Sequence, residues 1–199
     1  MSATASPRGL VPVGLLGGTP FAGSTRSYPI KSGYNTTIYN GDIVGIGTGG
    51  NAGHMIKEAH PGEINPVGVF LGCSYTDPST GQHTHSNRYP ANTVASDILA
   101  VVSCDPNTVY EIQADGAVTQ ANLGQTIDVT GASGNDVNGN STMAADQSTI
   151  ADAALLLRIV DFVSRPESTV GDAKTDLIVM FNPAQHIYAA EDALDDANN

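Results

Sequence analysis

The chain has no tryptophan, two cysteines, and eight lysines and arginines against twenty acidic residues, for a formal net charge of −12. Each shortage excludes something. An acidic field of this strength repels a duplex or a single strand, so nucleic acid is not an expected partner. No stretch approaches the roughly 20 apolar residues of a membrane-spanning helix, so no membrane is expected either. Cys73 and Cys104 form no Cys-x-x-Cys pair, which argues against a thioredoxin-like centre or a zinc ribbon. With no signal peptide legible, the two thiols are expected to stay reduced. Catalytic signatures are missing too. Neither Gly-x-Ser-x-Gly nor His-Glu-x-x-His occurs, and the adjacent acids Glu191 and Asp192 fall in a terminal tail. An enzyme therefore ranks below a structural protein.

What is present is a low-charge, hydroxyl-rich chain. Charged residues make up 14% of the 199, well below the usual quarter, while apolar residues make up 40%. Such a surface suits packing against other proteins. With aromatics at 6%, the core is expected to be built from Val, Ile, Leu and Ala. The clearest local pattern lies between residues 95 and 129. Side-chain character alternates through 109–114 and 125–129, the period of a strand with one dry and one wet face. Asp105-Pro106-Asn107 and Ala114-Asp115-Gly116 supply the turns between such strands.

These patterns predict an all-β protein: a single antiparallel β-barrel or a jelly-roll or sandwich-like domain, carrying an extended N-terminal arm. The expected divisions are the arm at 1–27, the β domain at 28–188 and an acidic tail at 189–199. The expected core is Ile38, Ile43, Val44, Ile46, Val67, Val69, Leu71, Ile98, Leu99, Val101, Val109, Ile112, Ile127, Val129, Leu155, Leu157, Ile159, Leu177, Val179 and Phe181. The segment 153–163 reads as a buried strand or a short helix, and 175–182 as a strand.

The arm is rich in Ala, Gly, Pro, Ser and Thr, which fits a flexible leader. Its Leu10, Val11, Val13, Leu15, Leu16 and Phe21, with Arg26, fit instead an extended arm that orders against a neighbouring subunit. Asn40-Gly41 between 37–39 and 43–46 is a strong hairpin signal. The glycine-rich stretch 47–53 lacks the following helix and the Lys-Ser/Thr pair of a phosphate loop. Asp136, Asn138 and Asn140 resemble the start of a calcium loop. Ser141 replaces its turn glycine and Gln147 its closing Glu, so a hairpin tip is the better reading.

Residues 74–93 form a long polar insertion, and loops of that length commonly make contacts. Tyr75, His83, His85, Arg88 and Tyr89 are its candidate contact residues, for a cell-surface glycan or receptor. The His83-Thr84-His85 pair could hold a metal with Cys73, His54, His60 or Asp77. Thr, Ser and Asn surround it and no acidic residue is spaced as a third ligand, so solvent-exposed histidines are expected. No metal and no cofactor is anticipated.

Three phrases carry a resemblance: PVGVFLGCSYTDP, ANTVASDILAVVSCDPNTVYEIQADG, and LLRIVDFV followed by GDAKTDLIVMFN. Together they resemble a family of small virion proteins of tailed phages infecting aquatic bacteria, the head decoration or cement proteins, over residues 28–188. The resemblance implies a β-rich, non-enzymatic module on the outer capsid surface. It would clasp neighbouring major capsid protein subunits, often as a trimer at three-fold sites, and stabilise the expanded head.

Overall fold

A computed structural model describes residues 5–57, 66–131, 133–151, 154–166 and 168–189. Fourteen strands run through them: β1 (Val11–Leu15), β2 (Arg26–Pro29), β3 (Ile38–Tyr39), β4 (Ile43–Ile46), β5 (Met55–Lys57), β6 (Pro66–Thr76), β7 (His83–Ser86), β8 (Arg88–Tyr89), β9 (Leu99–Ser103), β10 (Thr108–Gln113), β11 (Thr126–Thr130), β12 (Ala144–Ala151), β13 (Leu157–Phe162) and β14 (Asp176–Phe181). One sheet has the order β1-β10-β14-β13-β11-β12. A second has β2-β9-β6-β4-β5, with β7 added on β6, and β3 pairs with β8 alone. The strands pair antiparallel: Val11 of β1 stands opposite Glu111 of β10, and Ile112 of β10 opposite Leu177 of β14. Among the described residues no sheet closes on itself, and the all-β fold is sandwich-like.

Two apolar layers hold it together. The first collects Tyr110, Ile112, Ile127, Leu157, Ile159, Leu177, Val179 and Phe181 from the first sheet, and reaches Ile43 and Val69 of the second. The second layer covers the other side of β6 with Val67, Phe70, Cys73, Tyr75 and Tyr89, joined by Ile38, Ala100 and Val102. Strand β6 thus sends side chains into both layers. This explains why 66–73 reads as an almost unbroken apolar run rather than an alternating one. Burying each large side chain contributes about 1.5–3 kcal/mol.

The N-terminal arm is not separate from the β domain, contrary to the expected division. Leu10 is fully buried in the first core, and β1 is an edge strand of the first sheet on β10. The apolar residues of 11–15 find the domain's own sheet edge at β10. Before β1, Arg8 and Arg165 both pair with Glu111, and Ser6 N–H donates to Gln113 Oε1 at 2.7 Å. The Asn40-Gly41 turn forms, with Asp42 N–H donating to Tyr39 O at 3.0 Å. It does not make a hairpin, because β3 pairs with β8 while β4 pairs with β5 and β6. The polar insertion is no loop either. The end of β6 and β7 are zipped from Cys73 opposite Ser86 to Thr76 opposite His83, and β8 follows before a turn at 91–92.

Within the expected core, Leu99 is 40% exposed, and Ile46, Leu71, Val101 and Leu155 are half-buried. The slip at Leu155 has a local cause: consecutive Leu156 and Leu157 are both buried, since pairing of β13 begins only at Leu157. Of the two readings of 153–163, strand is the one observed, over Leu157–Phe162. The acidic tail from residue 190 onward and His60 lie outside the described residues.

Candidate functional site

One end of the sandwich brings together the segment between β1 and β2, the turn between β9 and β10, and Tyr188. Ser24, Thr25, Arg26, Cys104, Asp105, Pro106 and Tyr188 line a hollow of about 410 Å³ there. Asp105 Oδ1 accepts from Asn107 N–H at 2.9 Å, which fixes the turn, and Leu16 N–H donates to Asn107 O at 2.8 Å. The Asp-Pro-Asn signal therefore does two things: it reverses the chain and it docks the N-terminal segment. Tyr188 (52% exposed) and the exposed Arg26 line this hollow, and Leu16 (51%) is docked on the adjoining turn; Val13 (40%) is exposed on β1. Tyr188 Oη lies 3.0 Å from Tyr28 Oη, and burial, then that hydrogen bond, hold the Tyr28 phenol well above its ordinary range.

The N-terminal candidates thus divide. Leu10 belongs to the core, and Val11, Leu15 and Phe21 are half-buried. Val13, Leu16 and Arg26 remain exposed and able to touch another molecule. The outer edge of β1 is partly occupied by its own chain: Leu15 N–H donates to Thr19 O at 2.8 Å, and Gly14 bridges Pro20. That occupancy works against strand addition at β1 and leaves side-chain packing as the usable mode.

The second set divides as well. Tyr75 and Tyr89 are buried in the second core, and burial pushes the Tyr89 phenol up to about 12. Neither ring is available to stack on a sugar. Arg88 is held by Asp136 of the tip between β11 and β12, and Tyr39 Oη donates to the same carboxylate at 2.9 Å. His83 and His85 alternate with Thr84 on β7, so both point outward from one face, with ring centres 5.0 Å apart at 87°. The partners named for them do not arrive. Cys73 is buried with its thiol pushed up to about 12, and His54 Nδ1 lies 2.9 Å from Ala52 O. Asp77 accepts from Ser79 and Thr80.

Among the described residues, no group of three or more His, Cys, Asp or Glu side chains is placed to hold a metal ion. Both cysteines are free. The tip at 135–140 is a turn in which the Asn135 side chain accepts from Val137 N–H at 2.8 Å, as hairpin-tip chemistry requires.

Sequence reasoning missed a fully buried ion pair. Lys57 Nζ lies 2.7 Å from Asp42 Oδ2, with side chains 2% and 0% exposed. Asp42 also accepts from Ser141 Oγ at 2.6 Å and Tyr39 N–H at 2.7 Å, and Lys57 Nζ sits 5.2 Å from the centre of the Tyr39 ring. Burial raises the Asp42 carboxyl against the opposing pull of Lys57 and these donors. Ser141 lies 99 positions away, so the pattern near Asp42 carried no sign of it. The chain matches no protein-family model, no curated protein and no solved structure among those compared.

Proposed function

We propose that this chain is a non-enzymatic capsid decoration protein of a tailed phage, binding on the outer capsid surface between major capsid protein subunits and stabilising the expanded head. The observation that supports this most is the exposed end where Arg26 and Tyr188 line one hollow and Leu16 is docked on the turn beside it. Two large exposed side chains, Leu16 and Tyr188, and one basic residue, Arg26, stand around one turn of a chain that is acidic overall. An acidic neighbour could pair with Arg26 while its apolar side chains cover Leu16 and Tyr188. Binding only the assembled lattice stabilises it by mass action, in proportion to the logarithm of concentration over dissociation constant. A trimer at three-fold positions is the assembly this reading favours. A glycan- or receptor-binding module ranks second, because Tyr75 and Tyr89, its natural stacking rings, are buried.

The test compares occupancy of purified expanded capsids by the wild type, Leu16→Asp and Arg26→Glu, with folding checked by circular dichroism. Exposed positions should keep the fold intact while each substitution lowers occupancy about tenfold or more. Equal occupancy by folded variants would remove this end from the interface.

A further inference from the structure

We propose that His83 and His85 form a two-imidazole site for a divalent transition metal, copper(II) above zinc, with Asp97 as the residue that positions His83. This goes beyond the capsid reading and does not depend on it.

Spacing supports the site first. An imidazole nitrogen binds such an ion at about 2.0–2.1 Å, and the nitrogen lies roughly 1.2 Å from the ring centre. Two rings on one ion therefore have centres about 4.5–5.3 Å apart, from right-angle to tetrahedral ligand angles. The observed separation is 5.0 Å. The rings need no backbone change to share an ion, because strand alternation already places both on one face. Pairing with β6 holds that strand, with Thr76 opposite His83 and Ser74 opposite His85.

Asp97, which sequence spacing did not suggest, supports it independently. It lies before β9, the strand that flanks β6 on its other side. Its carboxylate accepts from Thr76 N–H at 3.0 and 3.1 Å and from Thr76 Oγ1 at 2.6 Å. Those bonds fix the position of the carboxylate beside β7. His83 Nδ1 stands 3.9 Å from Asp97 Oδ2. That separation exceeds a hydrogen bond, and a small turn of the exposed ring would let Nδ1–H donate to Asp97 and leave Nε2 free to ligate, the arrangement that orients metal-bound histidines elsewhere. Because both rings are exposed, the remaining coordination positions are open to water or to a donor from another chain. Two imidazoles suit copper(II), and affinity should fall from copper to zinc.

The experiment titrates the full-length chain with copper(II) alone, then zinc(II) alone, by calorimetry in a weakly chelating buffer. The set includes His83→Ala, His85→Ala, Asp97→Asn and the control His54→Ala. One copper per chain in the micromolar range is expected, with zinc weaker. Either histidine substitution should weaken copper by about a hundredfold, and Asp97→Asn by about tenfold. His54→Ala should change nothing. The copper electron paramagnetic resonance spectrum should show two nitrogen ligands in the wild type and in Asp97→Asn, and one in each histidine variant. Failure to bind copper, or binding that His83→Ala and His85→Ala leave unchanged, would overturn the site. Unchanged affinity in Asp97→Asn would remove Asp97 from it.

Discussion

Replacing Lys57 with methionine takes away the charge facing Asp42 while keeping most of the side-chain volume. The carboxylate is fully buried, with its Lys57 contact at 2.7 Å. It would be left with Ser141 Oγ and Tyr39 N–H as donors. Two neutral donors do not replace a cation, and breaking one side of a buried pair costs about 3–5 kcal/mol. For a domain of this size that corresponds to a fall in Tm of about 6–20 °C. Removing both charges with Asp42→Leu and Lys57→Met together should recover most of the loss, because no uncompensated charge then remains. The single variant should also respond to pH. Burial already raises the Asp42 carboxyl, so its folded-state cost is greatest when ionised and shrinks as pH falls through that raised value. Urea unfolding of the wild type, both single variants and the double variant, at pH 7 and pH 5, measures all of this. A loss under about 1 kcal/mol for Lys57→Met, or a double variant as unstable as the sum of the singles, would refute the reasoning.

Three further outcomes follow from single positions. Ile112 is 1% exposed in the middle of β10, and Ile112→Asp should cost more than about 4 kcal/mol and abolish the sheet signal in circular dichroism. A Cβ at Gly68 would stand 1.9 Å from the Ser103 carbonyl oxygen, so Gly68→Ala should force β6 from β9 and cost about 1–3 kcal/mol in urea unfolding. His186 is buried against Phe181, and burial lowers its pKa. The unfolded chain then takes up the proton first, so its contribution to stability is full above about pH 6.5 and declines as pH falls below that. His186→Asn should flatten that part of the stability profile, and an unchanged slope would show that His186 does not set it.

The parts of the fold legible in the sequence are those decided by neighbours in the chain. Alternation in 109–114 and 125–129, and the apolar run in 175–182, pointed to β10, β11 and β14 because each of these strands meets the first core. Partners were not legible. Asn40-Gly41 specifies a turn, but whether its flanks pair with each other depends on β8, about fifty residues later. The same applies to Val11–Leu15, whose edge position depends on β10 being present. At the sites, the outward direction of His83 and His85 follows from period two, whereas Asp97 reaches them through Thr76 across β6. The letters around Lys57 do not reveal that Asp42 and Ser141 close over the region.

Decoration of a capsid is tested most directly by sedimentation with purified phage capsids, expanded and unexpanded, at equal shell concentration. The reading predicts that the chain pellets with expanded capsids at a fixed number of copies per three-fold position and stays in solution with unexpanded ones. A chain that remains in the supernatant with both would contradict it.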